Sequence, residues 1–224
     1  MGDLDAVRRL SPRLQSPRLA IEDEASGVYL LSSEFEGLAT RDEVSVLARQ
    51  VIVTVRGAMR VAGIVEHAPL ELDAVVEREP DGSESKTLYR SAGAAALIAE
   101  AFPPTILISG TPVPPSSLKA EAAFDNDHVA IALALLAEEP TWYDLYKVLE
   151  LIEQDYGGEK ALYARNWEPE AELRRFTHTA NNVGALGLDA RHARLDWAVP
   201  ANPMSLAEAT ELIRRLMEKW LASK

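Results

Sequence analysis

The chain has 224 residues, 47% hydrophobic and 26% charged, which suits one large or two small domains and excludes wholesale disorder. It has no cysteine, which excludes disulfides, zinc–thiolate sites, iron–sulfur clusters and thiol nucleophiles and fits a reducing, cytoplasmic setting. Its formal charge of −12 is uneven: residues 1–140 hold 12 Lys+Arg against 22 Asp+Glu, and residues 141–224 hold 11 against 13, so non-specific DNA binding is not expected and only the second part is open to an anionic partner.

Residues 1–10 carry Asp3, Asp5, Arg8 and Arg9 with no apolar stretch, so no signal peptide is expected. Ser11-Pro12 and Ser16-Pro17 block a long helix, and residues 1–20 are expected to form a mobile or surface-draped arm. An α+β domain is expected over 21–102. Within it, Gly-Val-Tyr-Leu-Leu at 27–31 predicts a strand. Thr40 followed by Glu43 is a capping box, predicting a helix over 41–61, although the β-branched run 51–55 leaves a strand as the alternative. Residues 70–79 and 84–90 around Asp81-Gly82 predict a hairpin. Residues 94–101 suit either a helix or a further strand of the sheet, and 105–109 a short strand. Five prolines within 103–115 mark 103–118 as a linker.

A helical domain is expected over 119–224. Asp125 or Asp127 caps a predicted helix reaching Glu138, and because the run 129–137 is apolar on every side, this helix should be the buried centre of the bundle. That run is nine residues long, against roughly 20 for a bilayer span, so no membrane association is expected. Thr141 and Asp144 open a second helix, with Trp142, Leu145, Leu149 and Ile152 on one face and Gly157-Gly158 at its end. A third runs from Pro169 to about Asn182, and Gly184 to Gly187 should be a turn. The last begins at the Ser205–Glu208 box and lines up Leu206, Ala209, Ile213, Leu216 and Trp220.

Phosphate-loop, dinucleotide-binding and nucleophile-elbow motifs are all missing from the sequence. Asp125-Asn126-Asp127-His128 lacks the glycine and the closing glutamate of a calcium loop. The four histidines show no metal-ligand spacing, so neither a metal nor a cofactor is expected. The chemistry-bearing stretch is Arg174, Arg175, His178, Asn181 and Asn182, followed by Arg191, His192 and Arg194. Imidazole moves protons near neutral pH and guanidinium grips phosphate at two points, so His178, His192, Arg174 and Arg191 are candidate catalytic residues and Arg175, Asn181 and Arg194 candidate binding residues. The architectural alternative pairs Arg174 and Arg175 with Glu168, Glu170 and Glu172, and has the histidines and asparagines hold the following loop. Phe176, Trp167 and Trp197 could stack on bases or serve as core anchors.

Leu145-Tyr146-Lys147, Glu150, Trp167, Phe176, Thr179-Ala180-Asn181, Arg191-His192, Met204-Ser205-Leu206 and Glu208-Ala209 resemble the C-terminal helical part of a group of uncharacterised bacterial proteins. That part is distantly similar to HEPN-like helical domains of abortive-infection and toxin proteins. The nucleases among them carry an Arg, four to six residues, then a His. Here Arg174 and Arg175 stand too close to His178, and Arg191 adjoins His192. The resemblance therefore implies a non-catalytic, partner-binding member linked to phage defence or prophage biology. The reading is a cytosolic binding or accessory protein with a protein partner or a second copy of itself. A metal-independent ribonuclease acting on RNA and a structural oligomer subunit are the alternatives.

Overall fold

Among the residues that the computed structural model describes (14–16, 18–24, 27–64, 70–78, 83–88, 95–101, 119–192 and 195–224), the chain forms five strands, seven α-helices and short 3-10 turns. The fold is α+β, as the sequence predicts. Two compact units divide it: Met1–Arg56 with Ile64–Glu121, and Gly57–Gly63 with Ala122–Lys224.

The first unit holds a mixed sheet of β1 (Ala20–Glu24), β2 (Gly27–Leu31), β3 (Leu70–Arg78), β4 (Glu84–Leu88) and β5 (Ala95–Ala101), in the order β1-β2-β5-β3-β4. Of the ambiguous segment 94–101, Ala95–Ala101 is a strand, and it takes the centre, parallel to β2 on one side and β3 on the other. The β3–β4 hairpin is antiparallel as expected, with its Asp81-Gly82 turn outside the described residues. Ala20, Tyr29, Leu31, Ala74 and Val76 form one buried apolar cluster. Their strand neighbours Ile21, Val28, Leu30 and Val75 are buried as well, so both faces of the sheet are covered there. Leu14 and Leu19, from the stretch expected to be an arm, are buried; residues 1–13 lie outside the described ones. So do 102–118, with the expected linker and the strand over 105–109.

Helix α1 (Arg41–Val61) has the predicted bounds. Its box closes through Glu43 N to Thr40 Oγ1 at 3.2 Å and Thr40 N to Glu43 Oε2 at 2.9 Å. The run 51–55 is helical because Val44, Ala48, Val51, Ile52 and Val55 recur at helical spacing and are all buried. Arg41 reaches Glu77 at 2.6 Å and Thr87 at 3.0 Å, tying the start of α1 to β3 and β4.

In the second unit, α2 (Asp127–Leu135) is capped by Asn126, not by Asp125 or Asp127. Asn126 Oδ1 accepts from Val129 N, and its Nδ2 donates to Asp155 at 2.8 Å, a bond that no carboxylate could make. The helix stops at Leu135 instead of Glu138, and Ile131 is half exposed, so α2 is not enclosed on every side. Helix α3 (Trp142–Tyr156) has its predicted box at Thr141 and Asp144, and ends at Gly157, whose φ of 89° needs glycine. Helix α4 (Glu159–Ala164) is unforeseen: its cap, Gly158, makes no side-chain hydrogen bond that a sequence could reveal. Helix α5 (Glu170–Ala180) follows Pro169 as expected, while α6 (Val183–Leu186) is a single turn of helix where a plain turn was expected. Helix α7 (Leu206–Ala222) begins at the Ser205–Glu208 box. Ala209, Ile213, Leu216 and Trp220 are buried as predicted, whereas Leu206, in its first turn, is exposed.

Within this unit, a Cβ added at Gly57 would lie 2.0 Å from the carbonyl oxygen of Leu133. That neighbour is backbone and cannot rotate away. Gly57→Ala should therefore destabilise the protein by about 1–3 kcal/mol despite alanine's higher helix propensity, measured as a lower midpoint in urea with an unchanged m-value.

Candidate functional site

The second half of α5 and its C-cap carry four of the seven candidate residues, Arg174, Arg175, His178 and Asn181, and the chain after them is fixed by hydrogen bonds made to the end of that helix. Arg191 N donates to Ala180 O at 2.8 Å. Asn182 caps α6 through Oδ1, which accepts from Ala185 N, and its Nδ2 donates to Ala198 O at 2.9 Å. The buried hydroxyl of Thr179 accepts from Met204 N at 3.0 Å. Gly184 lets Val199 approach closely, since a Cβ there would meet Val199 Cγ2 at 2.4 Å. The described residues of the segment, 187–192 and 195–204, are thereby folded back against the end of α5.

This return creates a cavity of about 460 Å³, lined by His178, Asn181, Asn182, Asp196, Trp197, Ala198 and Pro200. His178 is exposed to it. Asn181 Oδ1 is buried and accepts no hydrogen bond, an arrangement that costs about 1–3 kcal/mol. Trp197, 40% exposed, supplies an indole wall, and the exposed His192 ring meets it edge-on at 6.1 Å. The two histidines thus share Trp197 as a neighbour. Anchoring of the loop, expected of the histidines and asparagines together, is done by Asn182 with Thr179.

The arginines go elsewhere. Arg174 pairs with Glu170 at 2.6 Å and lies over the Tyr163 ring. Arg175 turns to the start of α7, binding Glu208 at 2.9 Å and the carbonyls of Asn202 and Pro203. Arg191 pairs with Glu150 at 2.7 Å above Tyr146. Glu168, assigned in the architectural alternative to Arg174 and Arg175, is instead buried against Arg215 and Lys219 of α7. Arg194 lies outside the described residues. Phe176 is core, stacked with Trp142 and Tyr146 of α3, and Trp167 meets Tyr156 edge-on. Among the described residues, no three His, Asp or Glu side chains are grouped to hold a metal ion.

Sequence reasoning missed Glu153 and Tyr163. Burial, then the charges of Glu159 and Glu150, push the Glu153 carboxyl up to about 7, with Arg191 opposing them. Burial and the hydrogen bond to Glu159 push the Tyr163 phenol up as well. The spacing of Glu150 and Glu153 on one helix was a visible signal of like-charge crowding.

Because Glu153 holds its proton more tightly folded than unfolded, it costs stability progressively as pH rises from its ordinary 4.5 to about 7. Glu153→Gln should leave the melting temperature unchanged at pH 4 and raise it by roughly 1–3 °C at pH 8, a modest gain because the group is only partly buried and solvent screens it. Thermal unfolding of both proteins across that range checks it.

Comparison of the chain with family models, with curated proteins and with solved structures found no match.

Proposed function

We propose that this chain is a non-catalytic binding protein whose binding element is the cavity at the end of α5. The observation that carries the reading is the division of the Arg–His cluster. Arg174, Arg175 and Arg191 are each held by a carboxylate, whereas His178 and Asn181 make no side-chain hydrogen bond or ion pair among the described residues and line the cavity. A ribonuclease needs a guanidinium or ammonium to meet the phosphate where charge develops. Around Arg174 and Arg191 stand Glu150, Glu153, Glu159 and Glu170, and a phosphate taking either arginine would leave unpaired carboxylates beside its own charge.

A cytoplasmic setting belongs to the same proposal and rests on the cysteine-free composition. The described residues contain no helix long and apolar enough to cross a membrane. A protein partner is supported by Leu188 and Leu195, fully or largely exposed in the loop beside the cavity. The link to phage defence rests on the family resemblance alone.

Purified protein incubated with single-stranded RNA in a metal chelator should give no cleavage above a protein-free control. Cleavage that His178→Ala abolishes, with no change in melting temperature, would establish the ribonuclease instead.

A further inference from the structure

The cavity has a chemical character that narrows what it holds. Its walls are mainly Trp197, Ala198 and Pro200, which favour a flat, apolar-faced ligand. Its polar groups are few and specific. Asn182 is engaged at both ends of its amide, with Ala185 N and Ala198 O. Besides the Asp196 carboxylate, that leaves the Asn181 carboxamide and the His178 imidazole, one turn apart at the end of α5 and without hydrogen-bond partners among the described residues. Asn181 Oδ1 is an acceptor with no donor, so it asks for an N–H or O–H. Imidazole supplies either a donor or an acceptor, according to its tautomer. The nearby guanidiniums are held by Glu150, Glu170 and Glu208, so nothing in the described part of the site recruits an anion.

Resting on the reading of the cavity as a binding site, we propose that it takes an uncharged, planar heterocycle with a ring N–H beside a carbonyl, of the kind a free pyrimidine or purine base presents. The ring lies against Trp197. Its N–H donates to Asn181 Oδ1 after the carboxamide turns toward the cavity, and its carbonyl accepts from His178. A phosphate-bearing form of the same ring gains nothing here, because Asp196 lines the cavity and the arginines are paired. A ligand with so few atoms binds in the micromolar to millimolar range.

The test is a titration of the full chain with uracil and with hypoxanthine, followed by the NMR signal of the Trp197 indole N–H. The comparison ligand is 1,3-dimethyluracil, which keeps the ring and carbonyls but has no N–H. At least one free base should bind, with 1,3-dimethyluracil weaker than uracil by tenfold or more. Followed on the NMR signals of the added base itself, Asn181→Ala and His178→Ala should each weaken binding about tenfold and Trp197→Ala should abolish it; His178→Ala should leave the melting temperature unchanged, and Asn181→Ala, which removes an unsatisfied buried oxygen, should not lower it. Equal binding of uracil and 1,3-dimethyluracil, or no effect of Asn181→Ala, would overturn the assignment while leaving the cavity a binding site. An oligouridylate that binds far more tightly than uracil, with steep salt dependence, would overturn it in favour of an RNA chain. If toluene moves the Trp197 signal and no heterocycle does, the ligand class is wrong and the binding reading survives. If nothing moves it, both fall.

Discussion

The helical unit depends on one buried carboxylate. Glu168, its side chain only 5% exposed, stands just before α5 and receives Arg215 at 3.0 Å and Lys219 at 2.6 Å, both from α7. Burial alone would raise its pKa; hydrogen bonds from Arg215 and then Lys219 more than offset this and hold it ionised below the usual carboxylate range. Lys219 also donates to the Trp167 carbonyl. Stripping a buried charge of its partners typically costs about 3–5 kcal/mol, so this contact fixes where the start of α5 meets the later turns of α7. At the other end of α5, Arg175 and Thr179 bind Glu208 and Met204 at the start of α7. The two helices therefore run antiparallel, pinned at both ends, and the cavity opens where the chain leaves that clamp.

The same pattern of internal pairing recurs across the unit. Asp155, at the end of α3, takes Asn126 from the cap of α2, Trp220 Nε1 from α7 and the Lys224 ammonium. Burial opposes its ionisation, but the Lys224, Asn126 and Trp220 bonds outweigh it and hold the carboxyl below its ordinary pKa. Glu208 goes further, held at about 2 by the Ser205 backbone amide, then by Arg175 and the Ser205 hydroxyl. These groups keep their charge across the physiological range, so the framework around the cavity is insensitive to pH there. Glu153, pushed up first by burial and then by neighbouring carboxylates, is the exception. Cations bound so closely to carboxylates of the same chain are poor phosphate receivers, which is the physical link between how this unit holds together and what it is proposed to bind.

What the sequence made legible was local. The boxes at Thr40, Thr141 and Ser205 need only residues three apart, and each helix they open begins where expected. The cap of α2 misled because Asp125, Asn126 and Asp127 are all good caps, and the choice fell to a distant partner, Asp155. β1 carries only Ala20 and Ile21 as apolar residues and needs β2 to define it. β5 could not be told from a helix because its pairing joins it to strands far away in sequence. The Arg–His cluster was visible as composition, but its division was not, since it is drawn by Glu150 and Glu208, 41 and 33 residues away from Arg191 and Arg175.

The claim that these arginines are closed to phosphate is tested most directly by the salt dependence of RNA binding. Affinity of the full chain for a single-stranded oligonucleotide would be measured from low to physiological ionic strength. Arginines held by their own carboxylates release few counterions, so binding should be weak and its logarithm nearly flat against the logarithm of salt concentration. Tight binding that falls steeply with salt, and that Arg174→Ala or Arg191→Ala makes shallower, would contradict the account.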